Sequence, residues 1–261
     1  MAGSGAAGLA GLSGWVLLEE AVWRQAPFLS APVPGEGGRV SGCDVCRQPL
    51  AAASRCYLCA EQAESLPGLL ADAVVPVAFA PKGGLHARHL WLYKSGRPGS
   101  AAARLALLAL LAVFLRDHGR CVWAAAGMTA PTHVAAVPSG RARPGAHPLR
   151  ALAGPLLRLP WAELTAAAPG DPAGRLADPG RFVAAPLPGA RVALLDDTWT
   201  TGASAQSAAA ALRLAGAQSV AVIVLGRHLP AGPALPAQLP RFEPWRCGVH
   251  LCPAPVDRPG Q

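Results

Sequence analysis

The sequence predicts an α/β protein built on a parallel sheet covered by helices on both faces. Two continuous apolar runs, Arg191 to Leu195 and Ser219 to Leu225, flank an alanine-rich stretch with helical character, Ser204 to Ala215. A third run, "THVAAVPSG", also lacks the apolar/polar alternation of a half-exposed strand. Strands apolar at every position are buried on both faces, and strands alternating with helices are joined by parallel crossovers. At 261 residues and 52% apolar, the chain can bury a full core. That length suits one medium domain, or one domain with a small attachment.

Taken in order, residues 8–25 read as a helix whose Leu12, Trp15, Val16, Leu17 and Val22 are available to pack. It would brace the main domain, and a Pro/Gly stretch follows it up to residue 40. A cysteine-rich segment covers 41–62, and the α/β domain is expected over 63–229. "AVVPVAF", Ala73 to Phe79, is a strand whose Pro76 argues for an edge position. "HLWLYKSGRPG" leads into a long apolar helix from Ser100 to His118, with Gly119 as its expected stop. Pro148 to Leu159 reads as another helix. Residues 160–180 hold many breakers and little periodicity, so a long mobile loop is expected, and such loops are often functional. Residues 230–261 form a proline-rich tail.

A net charge of +8 and a pI near 9.6 favour anionic partners. The arginines are scattered, and no Arg/aromatic stripe of the kind single-stranded nucleic acid uses is present. The N-terminus lacks a basic n-region, and Glu19, Glu20 and Arg24 interrupt its apolar stretch. The longest apolar run, Leu105 to Leu115, is about half the ~20 residues a bilayer requires. A cytoplasmic protein without membrane insertion is expected.

Cys43, Cys46, Cys56 and Cys59 form a C-x2-C-x9-C-x2-C array. Two closely spaced pairs can offer four thiolates to one tetrahedral site, the geometry Zn2+ takes. Two disulfides or four unrelated thiols are the competing reading, the disulfides being less suited to a reducing compartment. A closed four-thiolate site has no open position, so it would be structural. Cys121 reads as core, and Cys247 and Cys252 as tail residues.

"RVALLDDTWTTGAS" ends an apolar strand in two acids. The loop after a parallel strand faces the ligand crevice of an α/β sheet, and the next helix presents free N–H groups suited to phosphate. In Thr200-Thr201-Gly202-Ala203-Ser204, glycine allows close backbone approach and three hydroxyls add donors. Asp196 and Asp197 are acceptors suited to vicinal hydroxyls, so a sugar phosphate fits both halves. The competing reading is a turn closed by Asp197 and Thr198 with Ser204 capping the helix. Neither a Walker A motif nor a dinucleotide fingerprint is present.

Four apolar residues, two acids, two spacers and T-T-G-x-[ST] resemble the signature of type I phosphoribosyltransferases. The resemblance implies that Asp196 and Asp197 bind the ribose hydroxyls of phosphoribosyl pyrophosphate and serve catalysis by fixing the sugar. Thr200 to Ser204 would hold the 5'-phosphate. Joined to the cysteine array, "WLYKSGR" at 91–97 and "VAAVPSGRARPGAHPLRALA" at 134–153, the motif is similar to that of ComF-type, competence-associated phosphoribosyltransferase-like proteins. By that resemblance Ser139, Gly140 and Arg141, with Lys94, meet the pyrophosphate, and Mg2+ accompanies the diphosphate. Arg143 is a further diphosphate candidate, with ordinary surface arginine as the alternative for both guanidinium groups.

Lys94 could equally be a solvated lysine, and Trp199 could lie near the sugar or pack beneath the loop. His147 and Arg150 suit a capping or solvated role. "RPGAHPLR" departs from the family's usual stretch, and 160–180 carry Arg175 but few other polar groups, which weighs more against turnover than against binding. Threonine at 200, where purine-base enzymes commonly have aspartate, disfavours 6-oxopurine salvage. Two functions follow: phosphoribosyl transfer to a nitrogen acceptor with release of pyrophosphate, or a sugar-phosphate-binding module acting with nucleic acid or DNA-uptake proteins.

Overall fold

The computed structural model describes residues 12–32, 42–50, 53–139, 147–167, 174–230, 239 and 241–242. Its centre is a four-stranded parallel sheet formed by β1 (Ala73–Pro81), β2 (His133–Ala136), β5 (Arg191–Trp199) and β6 (Ser219–Leu229), in the order β1-β6-β5-β2. β1 is an edge strand, and Pro76 is accommodated in it opposite Val224.

Alternation along the strands divides the core. Ala193, Leu195, Ala221, Ile223 and Leu225 face one side, which is covered by α3 (Leu85–Leu92), α4 (Ser100–Ala125) and α5 (Pro148–Ala153). Val192, Leu194, Val220, Val222 and Val224 face the other, under α6 (Ala203–Leu214) and the four-cysteine segment. Since both faces are covered, β5 and β6 are apolar at successive positions.

α6 is rich in alanine because it lies flat on the sheet: Ala205, Ala208, Ala209 and Ala210 are fully buried. α1 (Leu12–Gln25) packs on α4 through Leu18, Ala21 and Val22, with Gln25 Nε2 donating to Ala106 O at 3.0 Å. Val16 and Leu17, expected to pack, are exposed. The inward stripe runs through residues 18, 21, 22 and 25, so Val16 lies on the opposite side of the helix and Leu17 on its flank. Trp15 is covered by the Arg116 guanidinium, 5.1 Å from its ring. Residues 8–11 and the Leu12 side chain lie outside the described residues.

Several boundaries differ from those expected. α4 continues past Gly119, which is buried against the Trp123 indole, and ends before Gly127, whose φ of +67° supplies the left-handed stop. α5 ends at Ala153, not Leu159, because Pro155 has no N–H with which to continue the helix. Residues 160–180 do not form one unstructured loop: β3 (Leu164–Ala166) pairs antiparallel with β4 (Phe182–Ala184). Residues 168–173 between them lie outside the described residues.

β5 extends through Trp199 and β6 through Leu229, so the two aspartates belong to strand and not to loop. Cys121 is buried in the core, while Cys247 and Cys252 lie outside the described residues. Among the described residues no helix is long and apolar enough to cross a membrane.

Candidate functional site

The chain after β2 continues to α5 on one face, whereas β5 leads into α6 on the other, and these strands are neighbours. That reversal opens a crevice at their carboxyl ends, the ligand position expected in an open α/β sheet. A cleft of about 200 Å3 lies there, lined by Lys94, Ser139, Asp196, Asp197 and Ser204 together with Tyr93 and His147. Five residues singled out from separate parts of the sequence therefore meet at one place. Gly140, Arg141 and Arg143 lie outside the described residues.

α3 delivers the cation. Gly226 of β6 lets α3 lie close, since a Cβ there would stand 2.3 Å from Leu90 Cδ1. His86 Nε2 sits 2.8 Å from Leu225 O in the same contact. The chain leaving α3 then places Tyr93 and Lys94 over the end of β5. Lys94 Nζ and the Tyr93 hydroxyl both donate to Asp197 Oδ2, each at 2.6 Å. Lys94 thus faces the crevice, where it is paired with Asp197. Tyr93, almost fully buried, is a site residue that sequence reasoning passed over.

Asp196 stands beside Asp197 at the end of β5 and lines the same cleft. Burial in the cleft, and then the neighbouring Asp197 carboxylate, push it up to about 7, against opposing hydrogen bonds from the Thr198 and Asp197 backbone and the Lys94 charge. One oxygen of Asp197 is held by two donors, Lys94 and Tyr93.

Trp199 packs beneath the loop, 1% exposed, which settles its two readings against contact with a sugar. Gly202, at φ +86°, lies over the indole so closely that a Cβ would be 2.1 Å from Trp199 Cζ2. Gly202 is also the residue preceding α6, so Ser204 lies inside the first turn and is not its cap. The Thr201 hydroxyl accepts from Ala203 N–H at 3.2 Å, and the first helical N–H to find its carbonyl is that of Gln206. Thr200, Thr201, Gly202 and Ala203 form the turn leading into the cleft, and Ser204 is the member that lines it. Arg181, just before β4, donates to Ser204 Oγ at 3.2 Å. This cation beside the turn had no signal in linear spacing. Arg150 instead pairs with Glu163 at 2.8 Å and stacks on Trp161 at 5.2 Å, and Arg175 is exposed.

The four cysteines converge elsewhere, on the α6 face. Their sulfur atoms all lie within 4.8 Å of one another, and Cys46 and Cys56 Sγ are 3.8 Å apart. Tetrahedral Zn–S bonds of about 2.3 Å require sulfurs about 3.8 Å apart. A disulfide requires about 2.05 Å, so this is a cluster of unbridged thiols and not a pair of disulfides. Hydrogen bonds from Cys46, Cys56 and Cys59 hold Cys43 well below the usual thiol range. Against the opposing Cys43 contact, Cys46 and Cys59 hold Cys56 at about 6. A structural metal ion such as zinc fits this donor set.

A wider comparison adds no family: neither protein-family models, nor curated proteins, nor solved structures gave a match.

Proposed function

We propose that the chain is a ComF-type member of the type I phosphoribosyltransferases and that the crevice binds 5-phosphoribosyl 1-pyrophosphate. The observation that carries this reading is the meeting of Lys94 with Asp197 in the cleft that Asp196 and Ser204 line, at the reversal point of a parallel sheet. In this reading the two carboxylates accept the ribose hydroxyls. The turn from Thr200 to Ser204, the first N–H groups of α6 and Arg181 receive the 5'-phosphate. Lys94 and Ser139 face the diphosphate.

An acceptor nitrogen would form its bond to ribose C1' as the bond from C1' to the diphosphate oxygen breaks, with both electrons leaving on pyrophosphate. The carboxylates hold the sugar in line for that displacement, and the cations offset the charge that develops on the leaving group. Carboxylate oxygens are the hard donors Mg2+ takes, and when bound with the diphosphate the ion would neutralise part of the same charge. Calorimetry with the diphosphate and Mg2+ tests the donor, and pyrophosphate release with a panel of bases and amines tests transfer.

A second reading, a sugar-phosphate-binding module serving DNA uptake or another nucleic-acid process, is favoured by one asymmetry. The sequence supplies a full sugar and 5'-phosphate motif, whereas "RPGAHPLR" departs from the family's usual stretch and residues 160–180 carry few polar groups suited to closing over a diphosphate. Binding without pyrophosphate release, whatever acceptor is offered, would select this reading.

A further inference from the structure

Arg227, on β6, is 5% exposed and bridges two regions far apart in sequence. Its Nε donates to Cys46 O at 3.2 Å, and its Nη2 donates to Gln48 Oε1 at 2.7 Å and lies 3.6 Å from Cys46 Sγ. From the same guanidinium, Nη1 donates to Trp199 O and Thr200 O, both at 3.1 Å. One rigid, planar group thus holds the cysteine turn on one side and the start of the Thr200–Ser204 turn on the other. Gln62, on α2 (Tyr57–Ser65), which also carries Cys59, adds a parallel tie by donating to Thr201 O at 3.1 Å.

A metal that orders Cys43, Cys46, Cys56 and Cys59 orders the carbonyl of Cys46, and the guanidinium's position depends on that carbonyl. A buried arginine cannot let its acceptors drift without leaving N–H groups unsatisfied, so the two turns share one arrangement.

We propose that Arg227 is a positioning residue that couples metal occupancy of the four-cysteine element to the conformation of the Thr200–Gly202 backbone. The functional half of this inference, that the coupled turn is an anion cradle, rests on the reading above. Metal removal releases the cradle, and an anion seated in the cradle retains the metal, since coupling between two sites is reciprocal.

The test uses the full chain loaded with zinc, and the same chain treated with a chelator under reducing conditions. Backbone amide exchange is followed over residues 198–204 and, as a reference, over β2. Ribose 5-phosphate binding and zinc transfer to a chromophoric chelator are measured alongside. Chelation should speed exchange over 198–204 while β2 keeps its protection. It should weaken ribose 5-phosphate by about tenfold, and the ligand should slow zinc loss by a similar factor.

Gln48→Ala should raise exchange over 198–204 with zinc retained. Arg227→Met should remove the mutual effects of ligand and metal, and Arg227→Lys should restore part of them. Unchanged exchange over 198–204 after chelation overturns the coupling, as does a full mutual effect surviving in Arg227→Met. Should chelation unfold the whole chain, the zinc-loaded Gln48→Ala and Arg227→Met proteins decide the matter, since undisturbed exchange at 198–204 in both overturns it. Faster exchange without ribose 5-phosphate binding to the zinc-loaded chain would instead leave the coupling standing and defeat the cradle.

Discussion

Lys94 and Asp197, 103 positions apart in the chain, meet at 2.6 Å over the carboxyl end of the sheet, with both side chains largely shielded from solvent. The pair joins the turn after α3 to the end of β5. Lys94 also offsets the repulsion between two adjacent carboxylates, since its charge acts on Asp196 as well. Without this cation the cleft would hold two acids and much less reason to attract an anion.

Lys94→Met should therefore act twice. It should weaken phosphoribosyl pyrophosphate by at least about tenfold, or about 1.4 kcal/mol. It should also drive Asp196 further above about 7, which carboxyl carbon shifts measured by NMR across a pH series would reveal. Unchanged affinity together with an unmoved Asp196 titration would show that the pair is merely a surface contact.

Asp196 makes stability depend on pH in a fixed direction. Its carboxyl is raised from 3.8 to about 7 on folding, so the folded chain holds the proton more tightly than the unfolded chain. Between those values the folded state binds more protons, and stability falls as pH rises. Asp196→Asn removes that penalty. The variant should match the parent near pH 4 and exceed it at pH 8 by on the order of 4 kcal/mol in denaturant unfolding. A gain that is the same at both pH values would assign the effect to packing.

Gly202→Ala should cost at least about 2 kcal/mol, from a left-handed φ combined with overpacking against Trp199. Its effect on sugar-phosphate binding should be as marked, because the turn cannot keep its path over the indole. Trp199→Leu in the same chain should relieve the steric part and leave the φ penalty. Thermal unfolding of the two single variants and the double variant separates these contributions.

One tightly held zinc per chain is expected, and Cys46→Ser should lose it together with a large part of the stability. Structural zinc sites contribute directly to folding, so the midpoint of thermal unfolding should fall by several degrees or more on chelation. Metal analysis beside calorimetric scans checks both halves. A zinc-free chain with an unchanged midpoint would remove the metal from the account.

The parts of the fold legible in the sequence were those whose physics is local. β5 and β6 stand out because burial on both faces leaves no polar positions over 192–195 and 220–225, and the paired cysteines stand out because a tetrahedral site needs close spacing. Gly119 misled because a buried glycine inside a helix has the same letter as a helix stop, and only the packing of Trp123, one turn on in the same helix, distinguishes them. The short β3–β4 ribbon was hidden by its breakers, being held by its attachment to α6, where Ser207 Oγ accepts from Asp178 N–H at 2.8 Å. Tyr93, Arg181 and Arg227 gave no linear signal because their partners lie in other elements. Their roles exist only once the sheet brings residues 93, 181, 197, 204 and 227 together.

The most direct test is calorimetry of the zinc-loaded chain with phosphoribosyl pyrophosphate and Mg2+, repeated on the Asp196→Asn/Asp197→Asn double variant. Saturable binding by the parent and at least a tenfold loss in the variant is the predicted result. No binding by the parent, or undiminished binding by the variant, would contradict the assignment of this cleft to the sugar phosphate.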